Sequence, residues 1–141
     1  MCGGKDMDID FRVNHRITTD QFVALLEDST LGERRPVEDR TCMEGMISNS
    51  NLVVTAWDGS SLVGIARSVT DFHYSCYLAD LAVHRNHQGT GIGQRLQSVT
   101  REQLGPAASC CSSRPRPRIR TMNEWAIRVT TAAGSWIRGR A

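Results

Sequence analysis

Three glycines recur at every second position in HRNHQGTGIGQRL, residues 84–96: Gly89, Gly91 and Gly93. In a helix each lowers stability by about 1 kcal/mol relative to alanine, so their clustering needs an offsetting reason. Amide N–H groups at a helix N-terminus lack intrahelical partners and carry the positive end of the helix dipole. Backbone without Cβ atoms lets an anion, most often a phosphate, approach those donors closely. Two well-defined phosphate motifs are excluded. A P-loop ends in Gly-Lys-Ser/Thr, and this loop holds no lysine. A dinucleotide fingerprint is spaced G-x-G-x-x-G within a βαβ unit, with an acid about 20 residues on; here the spacing is G-x-G-x-G and no acid is suitably placed. A tight turn without any ligand is the plainer alternative, and the glycines alone leave it open.

The elements that must position this loop are legible in the hydrophobic pattern. IDFRVNH (9–15) alternates as a half-buried strand does. TTDQFVALLEDST follows, with Thr18 or Thr19 as N-cap and Phe22, Leu25 and Leu26 at helical spacing. Pro36 is expected to open a second helix through VEDRTCMEGMISNS, with Val37, Met43 and Met46 on its apolar face. The period then changes: NLVVTAW and SLVGIARSV are β-branched runs joined by the turn signal Asp58-Gly59-Ser60-Ser61. YSCYLADLAVH (74–84) reads as a further strand, and Gly91 to about Leu104 as a helix with Ile92, Leu96 and Val99 along one face. The order is β-α-α-β-β-β-α, an α/β layout in which a meander leads into the glycine loop and a helix.

At 141 residues the chain is long enough for one domain with a sizeable core. Five cysteines, Cys2, Cys42, Cys76, Cys110 and Cys111, lack C-x-x-C spacing, so neither a disulfide framework nor a zinc site is indicated. His15, His73, His84 and His87 read as surface or loop histidines rather than metal ligands. No apolar run reaches membrane-spanning length and the N-terminus has no signal pattern, so a cytoplasmic protein without a membrane partner is expected. The formal net charge of +2 sums two unlike parts: residues 1–104 carry ten Lys and Arg against fourteen Asp and Glu, whereas residues 105–141 carry seven arginines against Glu124 alone.

With its flanks, LADLAVHRNHQGTGIGQRLQ resembles the acetyl-CoA-binding motif of the GNAT superfamily of N-acetyltransferases. Arg85, Gln88, Gly89, Thr90, Gly91, Ile92 and Gly93 fall on the Gln/Arg-x-x-Gly-x-Gly/Ala pattern. The element order over residues 9–104 is similar to the first two-thirds of that fold, a mixed, mostly antiparallel sheet flanked by helices. The resemblance implies acetyl-CoA as co-substrate, with backbone N–H groups of Gln88 to Gly93 on its pyrophosphate. It also implies that the strand end Leu81, Ala82 and Val83 hydrogen-bonds the pantetheine arm as an added strand would. The N–H of Leu81 or Val83 would polarise the thioester carbonyl, and an amine of a small molecule or peptide would attack it directly. Such an amine must lose a proton. Asp80 is the first candidate base and Tyr77 the second, with Tyr74 and His73 nearby; pairing at the sheet surface is the structural alternative for Asp80, and packing for Tyr77.

The family continues with a fifth strand and a helix bearing a tyrosine that protonates the departing thiolate. Residues 105–141 do not match it: AASCCSSRPRPRIR has no strand or helix period and reads as disordered. Reading the message one nucleotide earlier forces Glu from Met122-Asn123 and Gly from Trp125-Ala126, and permits LLVAPPAADTYYERMGY, which has the form of the missing segment. The expectation is therefore a frameshift, with residues 1–104 as the acetyl-CoA-binding domain and 105–141 as an out-of-frame tail. The preceding strand would then be a bare edge, at which two copies could pair into a homodimer. Impaired catalysis follows, and a catalytically inactive acetyl-CoA-binding module is one alternative. Nucleic-acid binding through the tail is a further alternative, disfavoured because its arginines alternate with prolines and only Trp125 and Trp136 could stack.

Overall fold

The computed structural model describes residues 8–112. The Arg/Pro-rich segment and the frame-shifted reading of it lie outside the described residues, save for the stretch up to Ser112. The elements run β1 (Ile9–Val13), α1 (Thr19–Asp28), α2 (Arg40–Ser48), β2 (Leu52–Asp58), β3 (Ser61–Thr70), β4 (Ser75–Val83), α3 (Ile92–Glu102) and β5 (Ser109–Ser112). They form one five-stranded sheet in the order β1-β2-β3-β4-β5. The first four strands are antiparallel neighbours, and β5 runs parallel to β4. No helix among the described residues is long and apolar enough to cross a membrane.

Local sequence accounts for the helix starts. Thr18 caps α1 in a capping box: its hydroxyl accepts from the Gln21 N–H, and the Gln21 side chain accepts from the Thr18 N–H. The second helix starts later than its proline suggested. Residues 31–34 instead form a short 3₁₀ turn, and α2 begins at Arg40 because the Asp39 carboxylate accepts from the Cys42 N–H.

Strands β2 and β3 are buried on both faces, so adjacent residues enter opposite cores. Val54, Ala56, Val63 and Ala66 pack with Leu78 against Ile92, Leu96 and Val99 of α3. Val53, Ile65 and Ala82 pack against Phe22, Leu25 and Leu26 of α1 and Met43 of α2. Thus α3 covers one face of the sheet, and α1 with α2 covers the other.

The strand expected to be a bare edge is not bare along its first half. β5 pairs with β4 from Ser75↔Ser109 to Leu78↔Ser112. Leu104 closes α3, and the chain is then drawn back by the Gly105 N–H to the Phe72 carbonyl and the Ser109 N–H to the Tyr74 carbonyl. The cysteines that looked scattered are partly brought together by this pairing: Cys76 and Cys110 face each other with sulfurs 3.5 Å apart. Burial, reinforced by the Cys76 contact, pushes the Cys110 thiol up to about 11.

The β3–β4 loop is organised by Asp71, whose carboxylate accepts from the N–H groups of His73, Tyr74 and Ser75. These bonds, led by that of Tyr74, hold its carboxyl down at about 2, against an ordinary 3.8. The loop's contribution to stability is therefore complete above about pH 3.8 and lost as pH falls through about 2. Urea titrations between those values should show a steeper loss of stability in the parent protein than in Asp71→Asn; parallel slopes would contradict this. In the core, Leu96→Ala should lower the unfolding free energy by about 2–5 kcal/mol in the same titrations, since Leu96 is fully buried between α3 and the sheet.

Candidate active site

Two features of β4 define the site: its outer edge and its bulge. Its pairing with β5 covers Ser75 to Leu78, and from Asp80 to Val83 the outer edge has no strand beside it among the described residues. Its pairing with β3 shifts between Arg67↔Asp80 and Ser68↔Leu78, which leaves Ala79 as an extra residue in a β-bulge. The bulge turns Asp80 toward the α1–α2 side, while Leu81 and Val83 lean on the α3 core.

Asp80, the expected base, is 1% exposed and held from two sides. The Arg67 Nε donates to one carboxylate oxygen at 2.5 Å and the Arg35 Nε donates to the other at 2.7 Å. Both carboxylate oxygens thus face guanidinium groups, which is the pairing that stood as the alternative to a base. Tyr77 lies on the strand but is 52% exposed, and Tyr74 is 71% exposed in the loop before it. Together with Val69, Asp71 and Cys111 they wall a hollow of about 500 Å3 where β4 meets β5. His73 stays in the loop, its N–H on Asp71.

The glycine loop follows directly on the open end of β4. Gly91 is the N-cap of α3, with φ +88°, and Gly89 has φ +74°, so both occupy left-handed backbone that glycine alone adopts without strain. A Cβ placed on either would meet nothing within 4 Å, so the loop opens onto free space. Among the described residues no side chain caps α3, which leaves its first amides facing that space. Gly93 differs: it lies inside the first turn, where a Cβ would make ordinary contact with Val83. The two predicted segments meet where the Gln88 side-chain amide donates to the Val83 carbonyl at 3.0 Å. Thr90 braces the loop by donating its hydroxyl to the His87 carbonyl, and Ile92 anchors the helix start in the core. The resulting hollow, about 390 Å3, is lined by Val83, His87, Gln88, Gly89, Gly91, Ile92, Gly93 and Gln94.

The sequence reading missed how this loop is tied down. The Arg85 Nε donates to the Asp28 carbonyl at the end of α1. His84 and His87, read as plain loop residues, contact the carboxylates of Asp28 at 3.5 Å and Asp58 at 3.2 Å. His87 Nδ1 is buried and has no hydrogen-bond partner among the described residues, so a polar group entering the hollow could satisfy it. No group of three or more metal-ligating side chains is assembled among the described residues. Arg35 and Arg67 were also missed, although an arginine inside the apolar run SLVGIARSV was a signal that a buried counter-ion waits elsewhere.

Because Gly91 holds a left-handed conformation, Gly91→Ala should destabilise the fold by about 1–2 kcal/mol, read as a lowered Tm. An unchanged Tm would show that the loop relaxes to another conformation without loss.

Residues 16–103 match the family model described as the acetyltransferase (GNAT) family. No curated protein matches the chain. Among solved structures, it is similar to a GNAT-family acetyltransferase from Streptococcus pneumoniae TIGR4 at 19% identity and TM-score 0.64, covering 94% of this chain and 96% of that one. It is also similar to a ribosomal-protein-alanine N-acetyltransferase from Brucella melitensis biovar Abortus 2308 at 19% identity and TM-score 0.57, over 76% and 82% of the two chains. An aminoglycoside 6′-N-acetyltransferase complexed with coenzyme A aligns at 21% identity and TM-score 0.54, over 67% and 56%. At these identities the structures establish a shared fold, while the family model spans more than half of the chain. The chain belongs to the GNAT family of acetyl-CoA-dependent N-acetyltransferases.

Proposed function

We propose that this chain transfers the acetyl group of acetyl-CoA to a primary amine of a small molecule or peptide, with the donor held along the outer edge of β4 and over the glycine loop. The observation that supports this most directly is the continuity of two features: a strand edge from Asp80 to Val83 with no strand beside it among the described residues, and a helix N-terminus a few residues beyond it that no described side chain caps. A ligand with a hydrogen-bonding arm and a pyrophosphate matches that sequence of groups, amide-rich edge first and anion cradle second.

In this reading the amides from Gln88 to Gly93 hold the pyrophosphate, and the space in front of Gly89 and Gly91 admits its oxygens. Leu81, Ala82 and Val83 present their backbone to the pantetheine arm. The N–H of Leu81 or Val83 donates to the thioester oxygen, where negative charge develops as the amine attacks. Holding both reactants against β4 supplies much of the acceleration. Acetyl-CoA supplies an activated acyl group with a thiolate as leaving group. The amine nitrogen forms the new C–N bond as the C–S bond breaks, and one N–H proton is transferred in net terms to the thiolate.

Asp80 is spoken for by its two arginines, so the amine loses its proton to water or to a group at the rim. Tyr77 is the candidate that remains, exposed on the wall of the hollow at the β4–β5 junction. That hollow has room for the body of an acceptor amine.

A thermal-shift titration tests the donor half. Binding to the folded state raises stability by RT ln(1 + [L]/Kd), about 2.7 kcal/mol at a hundredfold excess over Kd. A Tm that climbs with acetyl-CoA concentration is expected, and a flat response at millimolar ligand would overturn the reading. Release of coenzyme A thiol in the presence of an amine panel then separates an enzyme from an inactive binding module.

A further inference from the structure

The charged cluster around Asp80 is largely buried, and it involves four separate parts of the chain. Asp80 belongs to β4, Arg67 to β3 and Arg35 to the segment between α1 and α2. Besides binding Asp80, Arg35 donates from its second nitrogen to the carbonyl of Ala79, the extra residue of the bulge, at 3.1 Å. Arg67 donates to the Ser50 hydroxyl at 3.0 Å and to the Met46 carbonyl at 3.4 Å, which ties in the end of α2. The cluster therefore grips the β4 bulge from the side opposite α3 and links it to the α1–α2 segment.

Stability alone is a poor reason for such a cluster. Two guanidinium groups and one carboxylate are costly to desolvate, and apolar residues of similar volume often serve a core as well or better. What an ion pair adds over apolar packing is direction, because each guanidinium N–H must meet its acceptor along a fixed line. Here one of those lines ends on the bulge carbonyl itself.

Resting on the acetyl-CoA reading above, we propose that Arg35, Asp80 and Arg67 are positioning residues for the acyl donor. By fixing the bulge at Ala79, the clamp holds the backbone of Asp80 and Leu81 in the one shape that receives the thioester end of the pantetheine arm. Through Arg35, the same clamp makes that shape depend on how the α1–α2 segment is seated. The pyrophosphate loop lies beyond the far end of β4 and is braced independently by Arg85, Gln88 and Thr90. Donor affinity therefore divides into two separable parts, and only the pantetheine part depends on the clamp.

Calorimetric titrations with two ligands test this. Acetyl-CoA spans both parts, whereas 3′-phospho-ADP ends at the pyrophosphate. In the parent protein acetyl-CoA should bind the more tightly, by the contribution of the β4 edge. Arg35→Gln should weaken acetyl-CoA by about tenfold, the loss of one or two charge-assisted hydrogen bonds, and leave 3′-phospho-ADP within about twofold. Arg35→Lys, which keeps a donor for the carboxylate or the bulge carbonyl, should recover part of the loss. Arg35 is the choice because it is the most exposed of the three side chains, and retained 3′-phospho-ADP binding reports that the variant is folded. Equal weakening of both ligands would mean that the cluster only stabilises the fold. Unchanged affinity for both would mean that the bulge keeps its shape without it, and either result overturns the proposal while leaving the acetyl-CoA reading intact. A parent protein that binds neither ligand overturns both.

Discussion

In the proposed reading strand β4 must satisfy two opposed requirements, and the rest of the structure is arranged around them. A central strand is stable when both of its edges are paired. A strand that receives a ligand by backbone hydrogen bonds needs one edge open. β4 meets both by dividing its length. From Cys76 to Leu78 it is paired on both sides, with β3 and β5, and from Asp80 to Val83 it is paired, among the described residues, with β3 alone. Between the two parts lies the bulge, where the pleat is interrupted and side chains hold the strand.

This explains why unusual chemistry is concentrated in an otherwise ordinary core. Leucine, valine and alanine fill both faces of β2 and β3, and any mixture of similar volume would fold comparably. The buried charges gather where a directional contact is needed: at Asp80, and through Arg35 at the carbonyl of Ala79. A carboxylate bound on both oxygens is well suited to fixing the relative placement of three segments. Asp80 makes the pairing that stood as the alternative to a chemical role for it.

The loop beyond β4 follows a different logic. Its backbone is set by left-handed glycines, and its position by contacts that reach outward to the ends of α1 and β2, from Arg85 and His84 to residue 28 and from His87 to Asp58. Such a frame leaves the amides at the start of α3 unencumbered, since the stabilising bonds are made by side chains pointing away from them. The cradle is open because its supports lie behind it.

Local sequence was sufficient for the elements whose information is local. Period-2 alternation marked β1, the Asp58-Gly59-Ser60-Ser61 turn joined β2 to β3, and the Thr18-Thr19 pair marked the start of α1, with Thr18 making the capping hydrogen bond to the residue three positions on. The glycine loop was legible for the same reason, because a positive φ is demanded of the residue that sits there. The helix start at Arg40 was misread because Asp39 and Pro36 both offer a beginning and only the packed chain selects between them. What no window of sequence contained was the pairing of groups far apart in the chain. Arg35 meets Asp80 across 45 residues, and Ser109 finds Ser75 only after α3 has crossed the sheet. Composition announces that a buried arginine needs a partner, but which carboxylate supplies it depends on the register of β3 against β4. The sequence by itself determined the first four strands, the glycine loop and the family; the tertiary structure alone decided that β5 pairs with β4 and that Asp80 is clamped, because both are consequences of register between segments that meet only in the folded chain.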